Sequence, residues 1–496
     1  MAYGATSEVP SLPKSYTHPL SMSESILRLT QADVLPRPVL RQALTDAYFQ
    51  HIYPFYPVVD QIDLSDNEGS VLLKQVVCLV GSLMQHDQDS MKLCDAQYDK
   101  VKTLIYLNHE ADNVAVLKAF CLLTCYSSLP TDQVTLDGPW HWLGMGIRLA
   151  IQMGLHKSAT YANHPQAGAL RRIFWHLVNS DRMASSCWGR PSALRLSDCD
   201  VPPPSPGDFP SRDIGSAVFI QAIRLGEIAS EITEINVQQR EILPNEVTRL
   251  ATMLCAWLRD LPGQLRLYDT HGTKLPFHAH AYELHIQYFA TIVQLDMLDR
   301  PNGHWRPAIP SLVAASCMAL LYEEIRCREE TAHLLQIHGF LCMVAAVPLI
   351  CYRHEAEERR AIQTAEVEII YSVLRRLRSR YGGSDLVLRK LARLQQDIER
   401  GSTQVSKGHS DVLGILRWFA GYLPDLFPFP YSFCPGMDLL QIGDISFQAS
   451  LFALPSVSLD GPLADTHFNL ADMLLTGYEA FGDGCGTDFE TAFVGQ

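Results

Sequence analysis

Apolar residues in this chain recur at steps of three and four, and that spacing restricts the fold more than any other feature. Leu170, Ile173, Phe174, Leu177 and Val178 fall at i, i+3, i+4, i+7 and i+8, and Asp181 closes the row at i+11. Such placing lines one face of a helix that turns once in about 3.6 residues. The same rhythm runs through 40–53, 71–84, 114–126, 142–153, 218–235, 247–258, 281–298, 312–325 and 367–377. Strand-like alternation is scarce over 36–400, so the expectation is an all-α domain in which many helices pack around a common core. A further run, 339–352, is apolar and contains Pro348. It falls short of the roughly 20 residues a membrane span needs and reads as a buried, kinked helix.

The flanks of that body differ from it. Residues 1–35 are Ser/Pro-rich, lack the apolar core of a secretory signal and are expected to be disordered. Residues 401–411 read as a polar linker containing Gly and Ser. From Trp418 onward there is no Lys or Arg, while ten Asp/Glu and fourteen aromatics are interspersed, so most of the formal charge of -14 sits in this last stretch. The 412–496 segment has the composition of an acidic activation region, in which repulsion keeps apolar groups open to a partner's groove. Those groups are Phe468, Met473, Leu474, Leu475, Tyr478, Phe481, Phe489 and Phe493. An acidic loop region covering part of the domain is the alternative. The aromatic-dense part at 418–433 is expected to pack back on the helical body.

The negative charge argues against DNA binding through general basicity, because phosphate contacts need clustered Lys and Arg. One basic run, Arg375, Arg376, Arg378 and Arg380, reads as the solvated side of a helix or as a nuclear localisation signal. The thirteen cysteines include no CxxC and mostly sit singly in apolar runs, as buried thiols do in a reducing compartment. His278, His280 and His285 cluster, but no acidic or Cys ligand joins them at a recognised metal spacing. With no catalytic motif on the chain, neither an enzyme nor a metal or cofactor site is expected within it.

The most informative stretch is 171–204, RRIFWHLVNSDRMASSCWGRPSALRLSDCDVPPP. It begins as an amphipathic helix with Trp175 and Trp188 as large anchors. Gly189 allows the left-handed backbone that ends a helix, and Pro191 blocks its restart. The prolines of DCDVPPP then force an extended chain, so a helix, a stop and a strap across the domain are expected. Asp181, Arg182 and Arg190 are expected to hold that strap by charge-assisted hydrogen bonds.

This arrangement resembles the middle homology region of fungal zinc-cluster transcription factors. Arg171, Arg172, Phe174, Trp175, Asp181, Arg182, Ser185, Gly189, Arg190, Pro191, Asp198, Asp200, Val201, Pro202 and Pro204 follow the family pattern in order. His176 and Pro203 depart from it. Upstream, 139–158 (PWHWLGMGIRLAIQMGLHKS) and 40–60 (LRQALTDAYFQHIYPFYPVVD) are similar to the family's preceding segments. The resemblance covers about residues 40–400 and implies a nuclear transcription regulator of a metabolic or secondary-metabolite gene set. It further implies a regulatory domain over 36–400 that holds the activation tail in check and responds to a small-molecule effector. Transcription machinery or a coactivator is the implied partner of the tail, with a DNA-binding partner or a homodimer besides. The family's six-cysteine zinc cluster has no counterpart here, since the first cysteine is Cys78. Zinc is therefore expected only in a cluster ahead of Met1. Otherwise the chain is a co-regulator acting through a zinc-cluster partner, or a metabolite-binding helical protein.

Overall fold

The computed structural model describes residues 21–65, 69–85, 90–127, 135–298, 305, 307–354, 356–400, 406–407 and 423–434. The helices are α1 (Met22–Thr30), α2 (Pro38–Ala47), α3 (Val71–Ser82), α4 (Ser90–Tyr106), α5 (Asn113–Leu123), α6 (Pro139–Gln152) and α7 (Ala167–Trp188). They continue with α8 (Ile214–Val237), α9 (Pro244–Arg259), α10 (Ala279–Asp296), α11 (Ile309–Cys327), α12 (Ile337–Cys351), α13 (Glu357–Leu377) and α14 (Gly382–Glu399). Apart from a two-residue parallel pairing of Tyr352–Arg353 with Ser406–Lys407, the described body is all-α.

The helices begin where the local chemistry favours it. The Ser70, Asp112 and Asp213 side chains accept from the first-turn amides of α3, α5 and α8, and Pro occupies the opening turn of α2, α6, α9 and α11. After α2 the chain widens into one π turn, Tyr48–Ile52, in which the Tyr53 amide reaches back to the Tyr48 carbonyl. Pro54 has no N–H to offer the Gln50 carbonyl four residues earlier. His280 on α10 supplies the missing donor through Nε2 at 3.1 Å.

Two apolar cores result. One gathers α2 to α7, for example Leu72, Val76, Phe120, Trp142, Ile173 and Phe174. The other gathers α8 to α14, for example Leu254, Phe289, Val313, Tyr322, Val344 and Leu374. Helices α7 and α8 pack against each other across the junction, and Trp188 and Ile337 touch both cores.

The described residues bear on two expectations for the flanks, the first of which needs correction. Within the 1–35 segment expected to be disordered, α1 is helical and closed by a Ser21/Glu24 capping box. Beyond it the Ala32 and Val34 carbonyls accept from Gln75 on α3, and Ala32 is fully buried. Within the 412–496 segment, Leu426, Phe427, Phe433 and Cys434 are buried in the second core, where Tyr288 donates to the Leu426 carbonyl at 2.8 Å. The 418–433 expectation is thus met over 423–433. The activation-tail residues Phe468, Met473, Leu474, Leu475, Tyr478, Phe481, Phe489 and Phe493 lie outside the described residues.

Candidate functional site

The motif stretch is built as its chemistry requires. Helix α7 ends at Gly189 with φ 61°, and the Gly189 amide bonds back to the Ser185 carbonyl. Pro191 stands exposed just beyond. The extended strap is then tied at three points. Asp181 accepts from the Leu194 amide at 2.9 Å, and Trp175 Nε1 donates to the Pro202 carbonyl at 2.8 Å. Asp200 accepts from the Ser158 amide at 2.6 Å and from its hydroxyl at 2.9 Å, while the Asp200 amide donates to the His156 carbonyl. Burial pushes the Asp181 carboxyl up from its ordinary value, against the lowering effect of the amides it holds. The Asp198 carbonyl accepts from Lys157.

The arginines divide their work differently from the expectation. Arg171 pairs with Asp208, and Arg172, almost fully buried, pairs with Asp60 at 2.6 Å and donates to the Tyr53 hydroxyl. The entrance segment at 40–60 and the motif helix are therefore joined by a buried ion pair. Arg182 does not hold the strap: it lies over the Trp175 ring in the field of Glu227 and Glu231 on α8. Arg190 stacks on Trp140 (4.6 Å) and Trp188 (5.5 Å). In the basic run, Arg375, Arg376 and Arg378 are exposed, whereas Arg380 is buried and donates to the Leu83, Thr331 and Leu334 carbonyls. Arg380 thus joins the two cores and is withdrawn from the surface run.

Between the cores lies a cavity of about 210 Å³, far above the roughly 10–15 Å³ that one water needs. Helix α7 lines it with His176, Met183, Ala184 and Cys187; Phe340 and Met343 of α12 and Val387 of α14 face them. Trp188, Arg190, Pro139 and Leu143 border both this cavity and an outer groove of about 620 Å³ beneath exposed Trp140. Trp188 and Arg190, at the end of the motif helix, are therefore shared by the cavity and the groove.

One polar cluster meets the chamber. Glu283 lines it and accepts from His280 Nδ1 and His338 Nε2, each at 3.0 Å, and the Tyr322 hydroxyl meets His338 Nδ1 at 3.1 Å. His280 faces a carboxylate with one nitrogen and the Gln50 carbonyl with the other, so both nitrogens must carry protons to satisfy both acceptors. Burial disfavours the Glu283 carboxylate, but the imidazole hydrogen bonds and charges outweigh it and hold the carboxyl at about 2. Burial also works against the His280 cation; the bond and charge of Glu283 prevail and raise its pKa. Tyr381 and Ser384, each 1% exposed, line the chamber with hydroxyls that have no hydrogen-bond partner among the described residues. Buried groups of this kind seek an acceptor or donor. The His278/His280/His285 cluster does not converge: His280 is committed to Glu283, and His285 Nδ1 to the Ala281 carbonyl.

Comparison with known proteins places residues 45–254 in the fungal specific transcription factor domain. The chain is 28% identical over 337 residues to the acetamidase regulatory protein of Aspergillus oryzae, covering 62% of this chain and 42% of that protein. It is 30% identical over 261 residues to the acetamidase regulatory protein of Emericella nidulans, covering 48% and 32%. To cutinase transcription factor 1 alpha of Fusarium vanettenii it is 25% identical over 310 residues, covering 56% and 33%. The aligned part thus spans less than half the length of these relatives. No solved structure matches.

Proposed function

Since this chain belongs to the family of fungal transcription regulators that share this domain, a regulatory rather than an enzymatic family, we propose that the cavity between its two cores receives the effector that governs transcription. The observation that carries the reading is the position of α7: the helix bearing the motif forms one wall of the chamber, and Trp188 and Arg190 at its end border both the chamber and the outer groove. A small, largely apolar molecule with one polar end suits such a lining. Its polar end meets Tyr381 and Ser384, and its body meets Met183, Leu143, Phe340 and Met343.

In this reading the part of the 412–496 region beyond the packed 423–434 stretch activates transcription through a coactivator or the general machinery, in the nucleus. The controlled genes form a metabolic or secondary-metabolite set, a reading supported by relatives named for acetamidase and cutinase. DNA is reached through a zinc cluster joined to this chain or through a zinc-cluster partner, and co-purification of a DNA-binding subunit distinguishes the second route. Among the described residues no helix is long and apolar enough to cross a membrane.

The test is a fusion of the full chain to a heterologous DNA-binding domain with a reporter gene in a fungal host. Because 423–434 is part of the core, the tail deletion must begin at residue 435. The fusion is expected to raise reporter output, and deletion of 435–496 to abolish it at unchanged protein level. An inert fusion, or full output without the tail, overturns the activation reading.

A further inference from the structure

The π turn that exposes the Gln50 carbonyl also presents His51, and its ring lies flat against that of His333, with centroids 3.7 Å apart and planes 11° from parallel. His333 closes the short 3₁₀ turn Glu330–His333, and its Nδ1 meets Glu330 Oε2 at 2.7 Å. One ligand atom from each of His51, Glu330 and His333 lies within 4.8 Å of the others. We propose that these three residues bind a divalent first-row transition ion of the Zn²⁺ type, with water completing a tetrahedron.

The donor set selects the cation. Two imidazole nitrogens and one carboxylate suit Zn²⁺ and its Co²⁺ analogue, whereas Ca²⁺ and Mg²⁺ favour oxygen ligands. Metal–nitrogen bonds of about 2.0–2.1 Å give a tetrahedral edge near 3.3 Å. The Glu330–His333 contact at 2.7 Å must open slightly to that edge, and the stacked rings of His51 and His333 must splay for their nitrogens to converge on one ion. The carboxylate can be reached, with the Glu330 and His333 side chains 30% and 21% exposed.

The backbone supplies a second observation. Glu329, just before the turn, has φ 64°, a left-handed conformation that non-glycine residues adopt at a cost and that concentrates at functional sites. Both ligand-bearing turns are non-α, and they come from distant parts of the chain. Each runs directly into the chamber wall, one through Phe55 and Tyr56, the other through Leu335 and Gln336. A bound ion would fasten these two walls to each other.

The experiment is titration of the purified full chain with Co²⁺ and with Zn²⁺, after chelator treatment, reading metal content, the Co²⁺ ligand-field spectrum and thermal unfolding. Wild type is expected to hold one ion per chain, with a tetrahedral Co²⁺ spectrum and a rise in Tm that chelator reverses. Glu330→Gln, on a part-exposed turn, is expected to fold as wild type does and to bind at least tenfold more weakly; His51→Gln is expected to lose the site. Absence of a Tm rise and of a tetrahedral spectrum in wild type overturns the proposal. So does their persistence, at undiminished affinity, in the Glu330→Gln and His51→Gln proteins.

Discussion

Replacing Arg172 by Met should cost about 3 kcal/mol of stability, the lower part of the range for breaking a buried ion pair by removing one partner. The figure follows from the site. Arg172 is 1% exposed and its guanidinium is 2.6 Å from Asp60, whose side chain retains 15% exposure, so the stranded carboxylate recovers some hydration. The bond to the Tyr53 hydroxyl and the packing over Phe209 at 5.3 Å go with it, while Met keeps much of the volume. At about 1.4 kcal/mol per factor of ten, the unfolded fraction should rise roughly a hundredfold. Urea unfolding of the full chain measures this, and the double variant with Asp60→Asn completes the cycle. The two changes should be less costly together than summed, by about 1–3 kcal/mol. A loss below about 1 kcal/mol for Arg172→Met, or additivity within about 0.5 kcal/mol, would refute the claim that this pair joins the entrance segment to the motif helix.

Other perturbations have equally direct readouts. Trp175→Phe removes the donor to the Pro202 carbonyl and should cost about 1–2 kcal/mol while making the 190–204 strap more susceptible to limited proteolysis. Burial raises the Glu366 carboxyl to about 7 from 4.5. An acid with a raised folded pKa loses stability as pH climbs between those values, by up to about 3 kcal/mol. Glu366→Gln should therefore stabilise the protein at pH 8 and not at pH 4, as thermal unfolding at both pH values would show. The Glu283–His280 pair works from both sides. The depressed Glu283 contributes stability above 4.5 that fades as pH falls toward about 2. The raised His280 contributes below 6.5 and fades as pH rises through its folded value. Glu283→Gln should consequently lower Tm most between those two limits, and a loss independent of pH would contradict the pairing.

Much of the fold could be read from the sequence because it rests on local chemistry. The apolar rhythm of α2, α3, α5 and α8 is regular, and Gly189 and the prolines mark where α7 stops and the strap begins. Helix α4 was missed because its buried face includes Ser90 and Gln97, which interrupt the apolar row. Helix α14 was missed because it opens on Gly382 and Gly383, which read as a break. Helix α1 was hidden in a Ser-rich flank whose Ser21 proves to be a cap. The charge of Arg380 was plain, but its burial depends on carbonyls at Leu83, Thr331 and Leu334, far away in the chain. The cavity escaped for the same reason: its walls come from Phe55 to Lys390, and only packing brings them together. For the three proposed metal ligands, the sole local hint is the Glu330–His333 spacing, to which His51 is joined by the fold alone.

The central claim, that the chamber governs transcription, is tested most directly by filling it. Ala184, 7% exposed, lines the cavity on α7, and Ala184→Phe places a ring in that space at little packing cost where room exists. Reporter output from the full-chain fusion should change substantially against wild type, at equal protein level and with Tm maintained. Equal output from the two proteins would contradict the account.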